Sequence, residues 1–154
     1  MLQTLTRPYD RFVELVSNRT GEALMLLFVR IVLAGIFWRS GRTKIEEGSW
    51  LTVGENTIYQ FGDDPFNKVP LLPSEVAAYL TTYAEHALPI LLVLGLFTRL
   101  SALALLGMTL VIQIFVFPEA WWQVHSLWVA LALILIVRGG SSLSVDALLA
   151  GRRA

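Results

Sequence analysis

Arg30, Glu85, His86, Gln113 and His125 are the side chains of this sequence whose types and positions could do chemistry, because each interrupts a long apolar stretch. A charged group at the centre of a bilayer costs about 2.5–3.5 kcal/mol on insertion scales, so Arg30 and Glu85 should face inward and find partners. The expected pairing is Arg30 with Glu85. As a static pair it would pin the register of two helices; as a working pair it would handle protons or hold a ligand. Gln113 and His125 each lie about one helical turn from the middle of their stretches, on the order of 6 Å, and are expected to meet across two helices. A neutral histidine bonded to a glutamine is the structural reading of that pair; a donor set for an external substrate is the functional one. Glu85, His86 and His125 are therefore the candidate catalytic residues, and Arg30, Glu85, Gln113 and His125 the candidate lining of a ligand cavity. Pro89 follows Glu85 by four residues and has no N–H to give its carbonyl, which predicts a kink and an oxygen that a side chain or water satisfies, or that helps line a polar cavity.

These residues need elements to position them, and the composition says which. The chain has 154 residues, 55% of them hydrophobic, with a mean hydropathy of +0.62, outside the range of ordinary soluble domains. Apolar stretches at about 21–41, 76–97, 100–117 and 121–137 approach the ~20 residues that cross a hydrocarbon core. Too few polar faces remain to coat four such helices with water-compatible surface. The fold class is all-α: an integral membrane four-helix bundle of antiparallel up-down topology, one domain over residues 1–154. Tight turns are expected around Thr98-Arg99 and Pro118-Glu119. Leu5, Tyr9, Phe12, Val13 and Val16, opposed by Arg7, Asp10, Arg11 and Glu14, suggest a short N-terminal amphipathic helix on the membrane surface, with a frayed terminus as the alternative.

The connection 45–74 is long, acidic and aromatic, with Trp50, Tyr59, Phe61 and Phe66, and should pack as a cap on the bundle. With both termini in the cytoplasm, Arg7, Arg11, Arg19, Arg99, Arg138, Arg152 and Arg153 fall inside. Arg39, Arg42, Lys44 and Lys68 fall outside among acidic residues, which favours that orientation. Trp38, Trp50, Trp121 and Trp122 then gather at the outer interface. The three cations at the end of the first span are expected to snorkel or to offset the helix C-terminus, or else to dock an anion or the loop. A net charge of zero gives no footprint for nucleic acid. The absence of cysteine removes disulfides, thiolate metal sites and thiol relays. Phosphate-cradling loops, paired carboxylates and a Ser-His-Asp set are not recognisable, and no metal site is expected. Axial haem ligation by His86 and His125 is disfavoured by their different depths.

From Val69 onward the order of residues resembles the DoxX family of small membrane proteins. Its pieces are Val69-Pro70-Leu71-Leu72-Pro73, Glu85 with Pro89, Gly95-Leu96-Phe97-Thr98-Arg99, Val111-Ile112-Gln113, Phe117-Pro118-Glu119-Ala120-Trp121, His125, Arg138-Gly139-Gly140 and Ser144-Val145-Asp146. Arg30, Gly41 and Lys44 match in the first helix, while Gly140-Ser141 departs from the Pro-Gly the family often has there. The resemblance implies a bacterial inner-membrane protein associated with redox systems, the related DoxD branch belonging to a quinone-reducing oxidoreductase. The expectation is a subunit of a redox-linked system with no self-contained catalytic motif, binding a quinone or similar carrier in an outer-leaflet cavity near Glu85, Gln113 and His125. A redox partner would supply the electrons. A non-catalytic scaffold that recruits a soluble enzyme and a small-solute carrier are the alternatives. The bilayer, a redox partner and further copies of the chain are the candidate partners.

Overall fold

Asn18 separates the first two helices. The computed structural model describes residues 2–70 and 72–151, with side chains from residue 9 onward; Leu5, Arg7, Leu71, Arg152 and Arg153 lie partly or wholly outside that description. Helix α1 (Leu2–Ser17) ends at Asn18, whose side-chain oxygen accepts the Gly21 N–H at 2.8 Å and caps α2 (Arg19–Arg42). Tyr9, Phe12 and Val16 of α1 remain exposed.

The membrane-crossing helices are α2, α4 (Ser74–Leu94), α5 (Thr98–Val111, continued by a wide turn through Val116) and α6 (Ser126–Arg138, led in from Pro118). Among the described residues these four are long and apolar enough to cross a bilayer. They enclose a core in which Leu26, Val29, Leu33 and Phe37 of α2 recur at helical spacing against Leu92, Leu105 and Leu135. Their outward faces are apolar too: Phe28, Ile90, Leu103 and Val137 are exposed in the protein alone. Exposed leucines and valines on every long helix fit lipid, not water, as the surrounding solvent.

Two ends of this bundle are built differently. At one, the loop end, residues 43–70 fold back on the helices. Ile45 and Val53 bridge, α3 (Glu55–Gly62) follows, and Phe61 packs on Ala77 and Ala78 of α4. Phe66 stacks on Phe61 and meets Phe117 edge-on, joining the loop to the α5–α6 connection. At the other, the terminal end, α4 turns into α5 and the chain after α6 folds under as α7 (Val145–Gly151).

The turns differ from the sequence expectation in position. The first is Gly95-Leu96-Phe97, with Thr98 and Arg99 already opening α5. Gly95 takes the left-handed conformation (φ 68°) that ends α4, and Phe97 is left-handed as well (φ 51°). The second span accordingly stops at Leu94, not residue 97. The chain breaks at Phe117, and Pro118 starts the fourth span three residues earlier than expected because a further wide turn, Trp121–His125, extends α6 backward. Helix α4 continues through Pro89.

Candidate functional site

Lys44 sits two residues beyond α2 and turns inward. Its ammonium lies 2.7 Å from Glu85 Oε2, with Glu85 only 1% exposed and Lys44 11%. The same ammonium donates to the Ser40 hydroxyl at 2.8 Å and to the Ser40 carbonyl at 3.2 Å. The Ser40 hydroxyl in turn donates to Glu85 Oε1 at 3.1 Å. Both carboxylate oxygens of Glu85 thus have donors, the condition under which a buried ion pair offsets its desolvation. The loop holds this arrangement from outside: the Lys44 carbonyl accepts from the Gly54 N–H at 3.0 Å and the Thr57 hydroxyl at 2.9 Å.

His86 is the next residue on α4 and is buried. Its Nδ1 lies 2.7 Å from the Thr82 carbonyl, and since a carbonyl only accepts, Nδ1 carries the proton. In the neutral ring Nε2 then holds a lone pair. That atom is buried and has no partner among the described residues. Trp38 meets the imidazole edge-on at 5.1 Å between centroids. The helices approach this closely only because Gly41 has no side chain: a Cβ there would stand 2.9 Å from His86 Cε1 and 3.1 Å from Glu85 Cβ.

The expected Arg30–Glu85 pair does not form. The physical reason is depth. Glu85 is level with Gly41, eleven residues along α2 from Arg30, or about 16 Å at 1.5 Å per residue. The α4 segment before Glu85 lies beyond the end of α2 and packs on α3, so the middle of α4 in sequence is not the middle of the bundle. Arg30 belongs to the terminal end. It is fully buried, donates to the Leu143 carbonyl through Nη2, and leaves Nε and Nη1 without partners among the described residues.

Asp146 stands nearby. Its two oxygens accept the N–H groups of Phe97 at 2.8 Å and Thr98 at 2.9 Å, while its own N–H donates to the Gly95 carbonyl at 2.9 Å. Burial by itself would push the Asp146 carboxyl up, but the Thr98 N–H and nearby hydroxyl, the Phe97 N–H and the Arg30 charge outweigh it and hold the carboxyl below its ordinary value.

Gln113 and His125 do meet. His125 Nδ1 lies 2.7 Å from Gln113 Oε1, and the Gln113 amide donates to the Pro118 carbonyl at 2.7 Å, spanning the break between α5 and α6. His125 is buried beside Trp128, which also touches Phe37. The proposed cavity residues therefore separate into distinct places: Glu85 with His86 on the α2–α4 seam, Gln113 with His125 on the α5–α6 seam, and Arg30 at the opposite end. Sequence reasoning missed Lys44 and Ser40 as the partners of Glu85. Their i,i+4 spacing at the end of α2 was the available signal. Arg39 and Arg42 stay exposed.

Four apolar helices around buried ionic and imidazole groups define a multi-pass membrane protein. The family model named DoxX matches residues 25–118, and the chain belongs to the DoxX family. An uncharacterized protein of Haemophilus influenzae is 30% identical over 144 residues, covering 84% of this chain and 85% of that relative. No solved structure matches the chain.

Proposed function

We propose that this protein is the membrane subunit of a redox-linked system and binds a quinone or similar lipid-soluble carrier at the loop end, on the seam between α2 and α4. The observation that carries the reading is the unpartnered, buried Nε2 of His86 beside the Lys44–Glu85–Ser40 cluster. A buried acceptor without a partner costs about 1–3 kcal/mol, which a ligand hydroxyl would recover. A quinone supplies two-electron, two-proton chemistry when bound, and a partner protein exchanges the electrons. For its part the chain offers His86 Nε2 to accept a hydroxyl proton, the Glu85–Lys44 pair to compensate charge at that position, and Trp38 as an apolar wall. Gln113 and His125 satisfy each other and hold the α5–α6 break.

We orient the bundle with both termini in the cytoplasm, so that α1 lies on the inner surface and the cluster faces the outer leaflet. Cysteines introduced as Ser142→Cys and Asn67→Cys should react with an impermeant reagent from opposite sides of sealed vesicles.

Titration of the protein in lipid nanodiscs with short-chain benzoquinol tests the carrier reading. Wild type and His125→Ala should bind, and His86→Leu should weaken binding by tenfold or more. Undiminished binding to a folded His86→Leu protein would overturn it; loss in His125→Ala alone would move the site to the other seam. A scaffold role is the second reading, favoured by Trp50, which is 82% exposed on the loop surface. Replacing residues 50–65 by a neutral linker should then abolish partner capture while leaving quinol binding intact.

A further inference from the structure

The terminal end carries a concavity of about 490 Å³ between the α4–α5 turn and the segment after α6. Arg99 and Arg138 stand at its mouth, Thr98, Gly140 and Ser144 form its floor, and Phe97 and Leu100 extend one wall toward lipid. Thr98 is fully buried, and its hydroxyl, which lies against the Asp146 carboxylate, makes no hydrogen bond of good geometry among the described residues. Gly140 is obligatory in this floor, since a Cβ there would lie 2.7 Å from Thr98 Oγ1 and 2.6 Å from Ser144 Cβ. We propose that this concavity binds the phosphate of an anionic phospholipid, with the acyl chains lying along Phe97 and Leu100.

Charge and shape both favour that occupant. Arg99 and Arg138 bring two cations to the mouth, and the Arg30 guanidinium stands behind the floor against Gly95. Two carboxylates oppose them. Asp146 lines the concavity, but both its oxygens are engaged by backbone N–H groups; Glu22 pairs with Arg138 from the neighbouring side. Arg99 gives one N–H to the Val137 carbonyl, which holds its guanidinium over Gly139. A soluble anion would use the polar floor but not the exposed Phe97 and Leu100, which are 60% and 64% accessible on the same rim. Basic pockets between spanning helices at the headgroup level are suited to such lipids. The inference rests on the four helices spanning a bilayer and is independent of the quinone reading.

The test is native mass spectrometry of the full chain released from micelles doped with equal amounts of phosphatidylglycerol and phosphatidylcholine. Wild type should retain phosphatidylglycerol about tenfold over phosphatidylcholine, a preference that Arg99→Gln/Arg138→Gln should abolish. Thr98→Val keeps the packing volume and removes only the hydroxyl; it should weaken retention by about threefold while the protein stays folded by circular dichroism. Equal retention of the two lipids by wild type, or an undiminished preference in the folded double variant, would overturn the proposal. Displacement of the lipid by millimolar inorganic phosphate would also overturn it, by identifying a free anion as the ligand.

Discussion

The two ends of the bundle bury charge in opposite ways. At the loop end, Glu85 receives Lys44 and Ser40, so acid and base neutralise each other directly and both carboxylate oxygens are bonded. At the terminal end, Arg30 gives an N–H to the Leu143 carbonyl and leaves Nε and Nη1 without partners among the described residues, while Asp146 spends its oxygens on the Phe97 and Thr98 N–H groups. The difference follows from where the side chains start. Lys44 leaves a loop just beyond α2 and can reach its acid, whereas Arg30 springs from the helix body and runs toward the α2 N-terminus, as helical side chains do. A matched pair makes a closed unit that a ligand approaches from beside it, through His86. An Arg satisfied only in part makes a region that still demands acceptors.

That comparison can be broken most severely at the ion pair. Lys44→Met leaves Glu85 buried with its main partner gone and should destabilise the protein by about 3–5 kcal/mol, read as a lower midpoint of thermal unfolding in detergent. Gly41→Ala comes next. Its methyl would press on the His86 ring and Glu85 Cβ, and a cost of about 1–3 kcal/mol is expected, together with weaker quinol binding because the seam must open.

The smallest effect falls at the terminal end. Asp146→Asn should cost about 1 kcal/mol at neutral pH, the scale of losing a helix-capping acceptor. Because the folded carboxyl lies below its ordinary value, its contribution is present above about pH 4, the unfolded carboxyl's range, and is lost as pH falls through the folded value. Wild type should therefore lose stability more steeply with acid than Asp146→Asn. Parallel acid profiles for the two proteins would show that Asp146 is not the group holding this end together.

Much of this was legible in the residues. Hydropathy and the scarcity of polar faces locate four apolar spans, and the Gln113–His125 contact follows from two helices joined by a tight turn. The partners of Glu85 are not, because hydropathy gives depth along each apolar stretch and not the offset between stretches. Helix α4 begins some eleven residues before the level at which α2 ends, and Phe61 packing on Ala77 and Ala78 is a tertiary fact that no hydropathy window contains. The same offset separates Arg30 from Glu85. The turn at Gly95 lies three residues before the polar pair Thr98-Arg99, because the chain reverses where glycine permits the left-handed conformation.

A double-mutant cycle on detergent-solubilised protein tests the central assignment most directly, using Lys44→Met, Arg30→Met and Glu85→Gln singly and in pairs. A coupling of more than about 1 kcal/mol between Lys44 and Glu85, with none between Arg30 and Glu85, is the predicted result. The reverse pattern, Arg30 coupled to Glu85 and Lys44 indifferent to it, would contradict the account.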